Sequence, residues 1–165
     1  EPLSTGSTIG NFPLLDEKNR ATTFYALFPN EPKMLVFLDS SNKIQIDRWI
    51  RERQTLRADR DLSHLPILTV LVGPAALASL SGIGSGYALP AHKTELASAK
   101  LLPRIFIIDR QNRLRGIERE CSAAFLKNRV VFALDADPAV QGTLKNQIEQ
   151  NRRAFDRLHS TPGTK

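Results

Sequence analysis

The sequence predicts an α/β sandwich, in which a central mixed β-sheet is flanked by helices on both sides. Two unbroken apolar runs, Met34 to Leu38 and Ile67 to Val72, are typical of strands that are covered on both faces. Between them, residues 42 to 60 repeat apolar positions at the spacing of a helix. Later in the chain, residues 104 to 117 form two β-prone segments around a polar turn. Together these features indicate alternating strands and helices with a closing hairpin.

The chain is predicted to fold as one domain between two short terminal segments. Residues 1–10 are rich in Ser, Thr and Gly and are expected to be a flexible lead-in, and residues 160–165 a disordered tail. Residues 11–159 then form a single domain of a size that can bury a core. It begins with a predicted hairpin made of Phe12 to Leu15 and Thr22 to Leu27.

The first long helix is predicted to start at the polar cluster Ser40-Ser41-Asn42, which supplies side chains suited to capping a helix. Its apolar residues, Ile46, Trp49, Ile50 and Leu56, lie on one face. The arginines of this helix alternate with acidic residues. We therefore expect a solvated helical face here and not a surface for nucleic acid, because no aromatic residues that could stack on bases are interleaved.

Residues 65 to 91 carry no formal charge, and the stretch is long enough to cross a bilayer. Proline and glycine interrupt it, so we favour a buried strand, Ile67 to Val72, and a short helix from Pro74 to Leu80. The glycines at 82, 84 and 86 follow that helix, whereas a phosphate-binding loop follows a strand and opens a helix. They are therefore interpreted as a connector.

The remaining elements are predicted from shorter patterns. They are a helix over residues 90–100, strands at Arg104–Asp109 and Arg113–Ile117, a helical turn at Ser122–Leu126, a strand at Val130–Leu134, and a long helix from Asp137-Pro138 to Leu158 with Val140, Leu144, Ile148, Phe155 and Leu158 on one face.

Composition limits the chemistry of the chain. A net charge of +6 and a pI near 9.8 suit an acidic partner or an anionic surface. The only cysteine is Cys121, so neither an intramolecular disulfide nor a metal site of the Cys type is expected. The three histidines are scattered, and no cofactor-binding pattern occurs. We therefore predict no metal and no cofactor.

The segment Leu102-Pro-Arg-Ile-Phe-Ile-Ile-Asp-Arg-Gln-Asn-Arg-Leu-Arg-Gly116 resembles the proline-led strand-turn-strand block of the thioredoxin-like superfamily. With the strand Met34 to Leu38 and the helix after it, the resemblance covers residues 8 to 120. The layout is most similar to the TlpA-like thiol-disulfide interchange and peroxiredoxin-related branch, which is exposed to the envelope. The resemblance implies a thioredoxin-like sandwich and a cis-proline at Pro103.

The resemblance breaks at the redox motif. Alignment of the strand end places Asn42 and Gln45 where the family has its two cysteines. The family's first cysteine is activated at a helix N-terminus, but neither an asparagine nor a glutamine can act as a nucleophile or form a disulfide. Asn42 at this position is interpreted first as a helix cap and second as a binding residue.

The leading hypothesis is a redox-inactive thioredoxin-like domain that acts as a protein-binding or assembly module in the bacterial envelope. It is expected in the periplasm or another extracytoplasmic compartment, with membrane association left open. Its partners are expected to be proteins and not nucleic acid, and the oligomeric state stays open. The predicted partner-binding groove comprises Asp39, Ser40, Ser41, Asn42, Lys43, Gln45, Leu102, Pro103 and Arg104.

Two alternatives remain at this point. The first is a one-cysteine thiol peroxidase or thiol transferase that uses Cys121, although a lone cysteine is more often a small packed residue. In the second, the basic helix and the long C-terminal helix serve an oligomer or an anionic membrane surface.

Overall fold

The computed structural model describes residues 4–81, 83, 85–89, 102–134 and 151–159. The strands in this part are β1 (Pro13–Leu15), β2 (Ala21–Thr23), β3 (Lys33–Asp39), β4 (Ile67–Val72), β5 (Tyr87–Leu89), β6 (Arg104–Ile108) and β7 (Leu114–Glu118). The helices are α1 (Lys43–Ala58), α2 (Ala76–Leu80) and α3 (Ala123–Ala133), and residues 151–159 are also helical.

The strands form one mixed sheet in the order β2-β1-β5-β4-β3-β6-β7. The central strand β3 runs parallel to β4 and antiparallel to β6, and β4 runs parallel to β5. Parallel neighbours need crossover connections, and α1 provides the crossover from β3 to β4. The predicted α/β fold, a mixed sheet with flanking helices, is therefore confirmed.

Each face of the sheet carries its own apolar cluster, because successive side chains of a strand point to opposite faces. On one face, Val36 and Leu38 pack with Trp49 of α1 and Leu126 of α3, and α2 joins the same cluster. On the other face, Phe37 and Phe106 pack under the N-terminal segment through residues that include Ile9, Phe12 and Phe24. In the described part, α1, α2 and α3 all contribute to the first cluster only.

Helix α1 is anchored to the sheet by two buried polar side chains. The indole Nε1 of Trp49 donates a hydrogen bond to Thr69 Oγ1 at 3.0 Å. The guanidinium of Arg53 donates to the carbonyl oxygens of Ile83 and Ser85 at 2.7 and 3.0 Å. These bonds satisfy polar groups inside the apolar cluster, as burial of such groups requires.

The predicted strand over Val130–Leu134 is wrong, because these residues lie in and just after α3. Ser122 caps this helix by accepting a hydrogen bond from Phe125 N. The buried positions 123, 126, 130 and 134 repeat at helical spacing, so one face of the helix packs on the sheet. The β-branched pair at 130–131 suggested a strand, but burial along the helix outweighs that weak propensity.

Two smaller differences concern the sheet edge around β1. The second predicted hairpin arm, Thr22 to Leu27, extends only to Thr23 and continues as a 3-10 turn at Phe24–Ala26, which Thr23 caps. Phe24 thereby stacks on Phe12 with ring centroids 5.0 Å apart. The strand β5 was not predicted. Its three residues are too few to produce a periodic signal, and they pair because β4 and β1 lie on either side.

Residues 6–9, in the predicted lead-in, contact the strand β7. Leu114 exchanges backbone hydrogen bonds with Gly6 and Ser7, and Ile9 is buried. The predicted helix over 90–100, the first part of the predicted C-terminal helix and the predicted tail lie outside the described residues. Phe155 and Leu158, which were expected on the apolar face of that helix, are 58% and 83% exposed. No helix among the described residues is both long and apolar enough to span a membrane.

Candidate functional site

The turn between β3 and α1 is held by a network of short local hydrogen bonds. Asp39 Oδ1 accepts from the backbone N and the hydroxyl of Ser41, at 2.9 and 2.7 Å. Asn42 is the N-cap of α1, and its Oδ1 accepts from Gln45 N at 3.0 Å. Gln45 in turn uses its Oε1 to accept from Asp39 N at 3.2 Å. The two residues aligned with the family cysteines therefore cap and brace the turn.

Ser40 connects this turn to the loop that follows β4. Its backbone N donates to Val72 O, and its carbonyl accepts from Ser79 Oγ. The side chain is buried, and Ser40 Oγ is the one buried side-chain polar atom of the described residues that has no hydrogen-bond partner. A Cβ at Gly73 would lie 2.8 Å from this oxygen, so a glycine is needed for the loop to pass so closely.

The second half of the predicted groove lies at the start of β6. Phe37 pairs with Arg104 in the antiparallel register of β3 and β6, which brings the end of β3 and the start of β6 to the same edge of the sheet. The Leu102–Pro103 peptide bond is cis, as the resemblance implied. The guanidinium of Arg104 lies over the ring of Phe106, 4.9 Å from its centroid. All nine predicted groove residues thus lie in two adjacent loops or at their strand and helix ends.

Ile44 is a residue of this region that sequence reasoning missed. It lies in the first turn of α1 and is 84% exposed, next to Lys43, whose side chain is 86% exposed. The signal was present, because Ile44 falls outside the face formed by Ile46, Trp49 and Leu56. An apolar side chain on the solvent side of a helix start contributes little to the fold but is available for contact with a partner.

A cavity of about 260 Å³ lies beside the helix start, between α1 and α2. Its walls include Ser40, Lys43, Ile46, Asp47 and Ser79. The first turn of α1 contains no acidic residue, and its first residue is a lysine. Lys43 nevertheless pairs with Asp47 at 3.3 Å, and the Asp39 carboxylate lies in the adjoining turn, so charges of both signs surround this end of the helix.

No protein-family model and no curated protein matches the sequence. Solved structures do match it. A DsbF homologue from Corynebacterium diphtheriae has a TM-score of 0.59 at 14% identity over 75% of this chain and 85% of that chain. Peroxidoxin BcpB from Mycobacterium tuberculosis has a TM-score of 0.58 at 12% identity over 82% of this chain and 99% of that chain. The thioredoxin domain of a thiol-disulfide oxidoreductase from Bacteroides vulgatus has 0.56 at 12% identity over 78% and 99%.

The fold is thioredoxin-like. The strand β3, the helix α1, and the cis-proline before β6 occupy the places that the resemblance implied. Sequence identities of 12–14% establish similarity of fold alone, so the chemistry of the site depends on the residues of this chain.

Cys121 lies away from the helix start of this thioredoxin-like fold. It precedes the cap of α3 and belongs to the apolar cluster on the α1 side of the sheet. Two residues further on, the backbone N of Ala123 donates a hydrogen bond to Glu52 Oε2 at 3.0 Å, which places this segment beside the middle of α1. Glu52 lies ten positions after Asn42, which corresponds to about 15 Å along a helix.

Burial raises the pKa of the Cys121 thiol, and the negative charges of Glu120 and Glu52 act in the same direction, whereas Arg48 opposes them. A catalytic thiol needs the opposite shift, because the thiolate is the nucleophile. Among the residues that the structure describes, no three His, Cys, Asp or Glu side chains are grouped so that they could hold a metal ion.

Proposed function

We propose that this thioredoxin-like domain is a redox-inactive protein-binding or assembly module of the bacterial envelope. It binds a segment of a partner protein at the start of α1 and the adjoining Leu102–Arg104 loop. The observation that carries the proposal is the use of Asn42 and Gln45: both bond within the turn at the position where a thioredoxin-like enzyme needs its nucleophile.

The surface chemistry of the groove supports a protein partner. Ile44 offers an exposed aliphatic contact, and the cavity lined by Lys43 and Ile46 of the same helix has room for a side chain of the partner. Lys43, Asp47 and Asp39 place charged groups of both signs next to that contact. The partner segment is therefore expected to combine apolar and polar residues.

The Cys121 alternative has less support. Cys121 is 6% exposed, and burial raises the pKa of its thiol, so little thiolate is available at neutral pH. The envelope location draws its support from the resemblance to thiol-disulfide interchange proteins and from the match to a DsbF homologue.

The test is co-purification of the tagged full chain from its native cells after crosslinking, with variants that change only the groove surface. Ile44→Glu removes the exposed aliphatic contact, and Leu158→Glu is the matched control, since Leu158 is 83% exposed on a helical segment. A defined set of partners that is lost with Ile44→Glu and kept with Leu158→Glu supports the groove. Partners kept in both variants would refute it.

The redox part of the proposal has its own measurement. Wild type and Cys121→Ser should both fail to reduce insulin disulfides or consume peroxide, and Cys121→Ser should retain the partners. Peroxide consumption that disappears in Cys121→Ser would establish the enzymatic alternative.

A further inference from the structure

A second cavity, of about 390 Å³, lies at the opposite end of α1 from the groove. It results from a mismatch in strand length. Strand β4 begins at Ile67, but β5 pairs only with Val70 to Val72, so the first three residues of β4 have no strand beside them on that side in the described part. We call this cavity the β4 notch, and the residues that matter here are Glu17, Phe28, Arg57, Ile67, Thr69 and Tyr87.

The notch is separate from the proposed partner-binding groove. Arg57, in the last turn of α1, lines the notch, whereas Asn42 caps the first turn. Arg57 lies fifteen positions after Asn42, which corresponds to about 22 Å along the helix axis. A ligand in the notch therefore does not compete directly with a partner in the groove.

One side of the notch is positively charged. Arg57 is exposed and forms no hydrogen bond or ion pair with another described residue. Behind it lies Arg53, which is 6% exposed and donates to Thr69 Oγ1 and Ser85 O, two groups on the cavity wall. Carbonyl and hydroxyl oxygens solvate this buried charge without neutralising it, so both guanidinium groups favour an anion here.

The other side is negatively charged. Asp16 is used within its turn, where it accepts from the backbone N of Lys18 and from Arg20. Glu17 has no such bond to a described residue, and neither does the hydroxyl of Tyr87. Burial and the nearby charges of Asp16 and Glu17 raise the pKa of Tyr87, which is the effect expected when the phenol faces the carboxylates. This side therefore accepts a cation or a hydrogen-bond donor.

The apolar part of the notch is formed by Ile67, Leu68 and Phe28. Phe28 is unusual in two ways, because its φ is 50° and the residue is 42% exposed. A bulky residue in the left-handed region is an outlier, and glycine or asparagine is the ordinary choice there. Phe28 thus places an aromatic ring in the lining of the cavity although its backbone conformation is more favourable for glycine or asparagine.

We propose that the β4 notch binds a small zwitterion with an apolar side chain, of the class of a free hydrophobic amino acid. The carboxylate pairs with Arg57, and the ammonium group pairs with Glu17 and donates to Tyr87. The side chain packs between Phe28 and Ile67. Four charged residues line the cavity, and two of them, Asp16 and Arg20, pair with each other, so Arg57 and Glu17 are left to offer a ligand one charge of each sign. The volume lies within the range of small-molecule sites.

The test is titration calorimetry of the full chain with three probes that share one ring: L-phenylalanine, 3-phenylpropionate and phenethylamine. The first has both charges, the second only the carboxylate and the third only the ammonium group. L-Phenylalanine should bind about tenfold more tightly than either analogue, the factor expected for one lost charge-assisted hydrogen bond. No binding of L-phenylalanine, or equal binding of 3-phenylpropionate, would overturn the proposal.

Variants locate the site. Arg57→Gln and Glu17→Gln should each weaken L-phenylalanine binding by about tenfold. Arg51→Gln and Glu31→Gln are matched controls, because both residues are exposed and lie outside the notch. Neither Arg57 nor Glu17 bonds to a described residue, so both variants should keep the wild-type unfolding midpoint. Binding that is unchanged in both notch variants would place the ligand elsewhere and refute the assignment.

Discussion

Replacement of Asn42 by alanine tests whether this residue stabilises the fold as a helix cap or serves only to bind a partner. Its Oδ1 accepts from Gln45 N at 3.0 Å, and alanine would leave that donor without a protein partner. Loss of an N-cap costs about 1 kcal/mol. In a chain of this size that corresponds to a drop of about 2–4 °C in Tm.

Replacement of Asn42 by aspartate separates the cap from the amide. Aspartate keeps the acceptor oxygen and adds a negative charge at the positive end of α1, which should stabilise the fold by about 0.3–1 kcal/mol. The alanine and aspartate variants should therefore differ by about 1.5 kcal/mol at pH 7. The favourable charge lowers the pKa of the new carboxyl below its ordinary value of about 3.9, so the added stability should be present above that pH and be lost as the pH falls through the lowered pKa.

The assay is urea unfolding followed by the fluorescence of Trp49, the only tryptophan, which is fully buried. Gln54→Ala is the control, because Gln54 is exposed on the same helix, and a change of less than about 0.5 kcal/mol is expected there. If Asn42→Ala unfolds at the same urea concentration as wild type, the cap assignment is wrong. The aspartate variant is also suited to the co-purification experiment. Because it keeps the fold stable, a loss of partners would result from the changed groove surface and not from unfolding.

Three further outcomes are expected. Gly73→Ala should lower the free energy of unfolding by about 1–3 kcal/mol, since φ is +117° and the new Cβ would meet Ser40 Oγ; an unchanged urea midpoint would contradict this. Cys121 should react slowly with iodoacetamide at pH 7.5 and faster in urea, because burial raises its pKa; equal rates would show an accessible thiol. Burial opposes ionisation of Asp59, but hydrogen bonds, including one from Lys127, outweigh it and lower its pKa below 3.8. Its stabilisation is thus present above pH 3.8 and is lost as the pH falls through the lowered value. Lys127 also pairs with Asp61 at 3.2 Å, so Lys127→Met should cost about 0.5 kcal/mol in urea unfolding at pH 7 and less once Asp59 is protonated. A cost that is the same in acid would point to packing instead.

Much of the fold could be predicted because its main elements are encoded locally. The strands β3 and β4 are unbroken apolar runs, and α1 combines a capping residue with apolar positions at helical spacing. These signals lie within one element, so they do not depend on what packs against it. The role of Asn42 as a cap was accessible for the same reason, because capping involves residues only three positions apart.

Other parts depended on neighbours that are distant in sequence. The three residues of β5 are a strand because β4 and β1 supply hydrogen-bond partners on both sides. The run at Val130 became helical because α3 buries one face on the sheet, which outweighs a local preference for strand. In both places long-range contacts decided between local conformations of similar energy.

The sequence by itself determined the class of fold, the chief buried elements and the lack of a cysteine pair, since composition and periodicity are properties of the chain alone. Only the tertiary structure decided the burial of Ser40 and Cys121 and the existence of the β4 notch. The notch is the clearest example. It exists because β4 is longer than β5, and it is lined by Glu17 and Arg57, which are forty positions apart in the sequence. Such a site depends on how elements are placed against each other, and no local pattern records that placement.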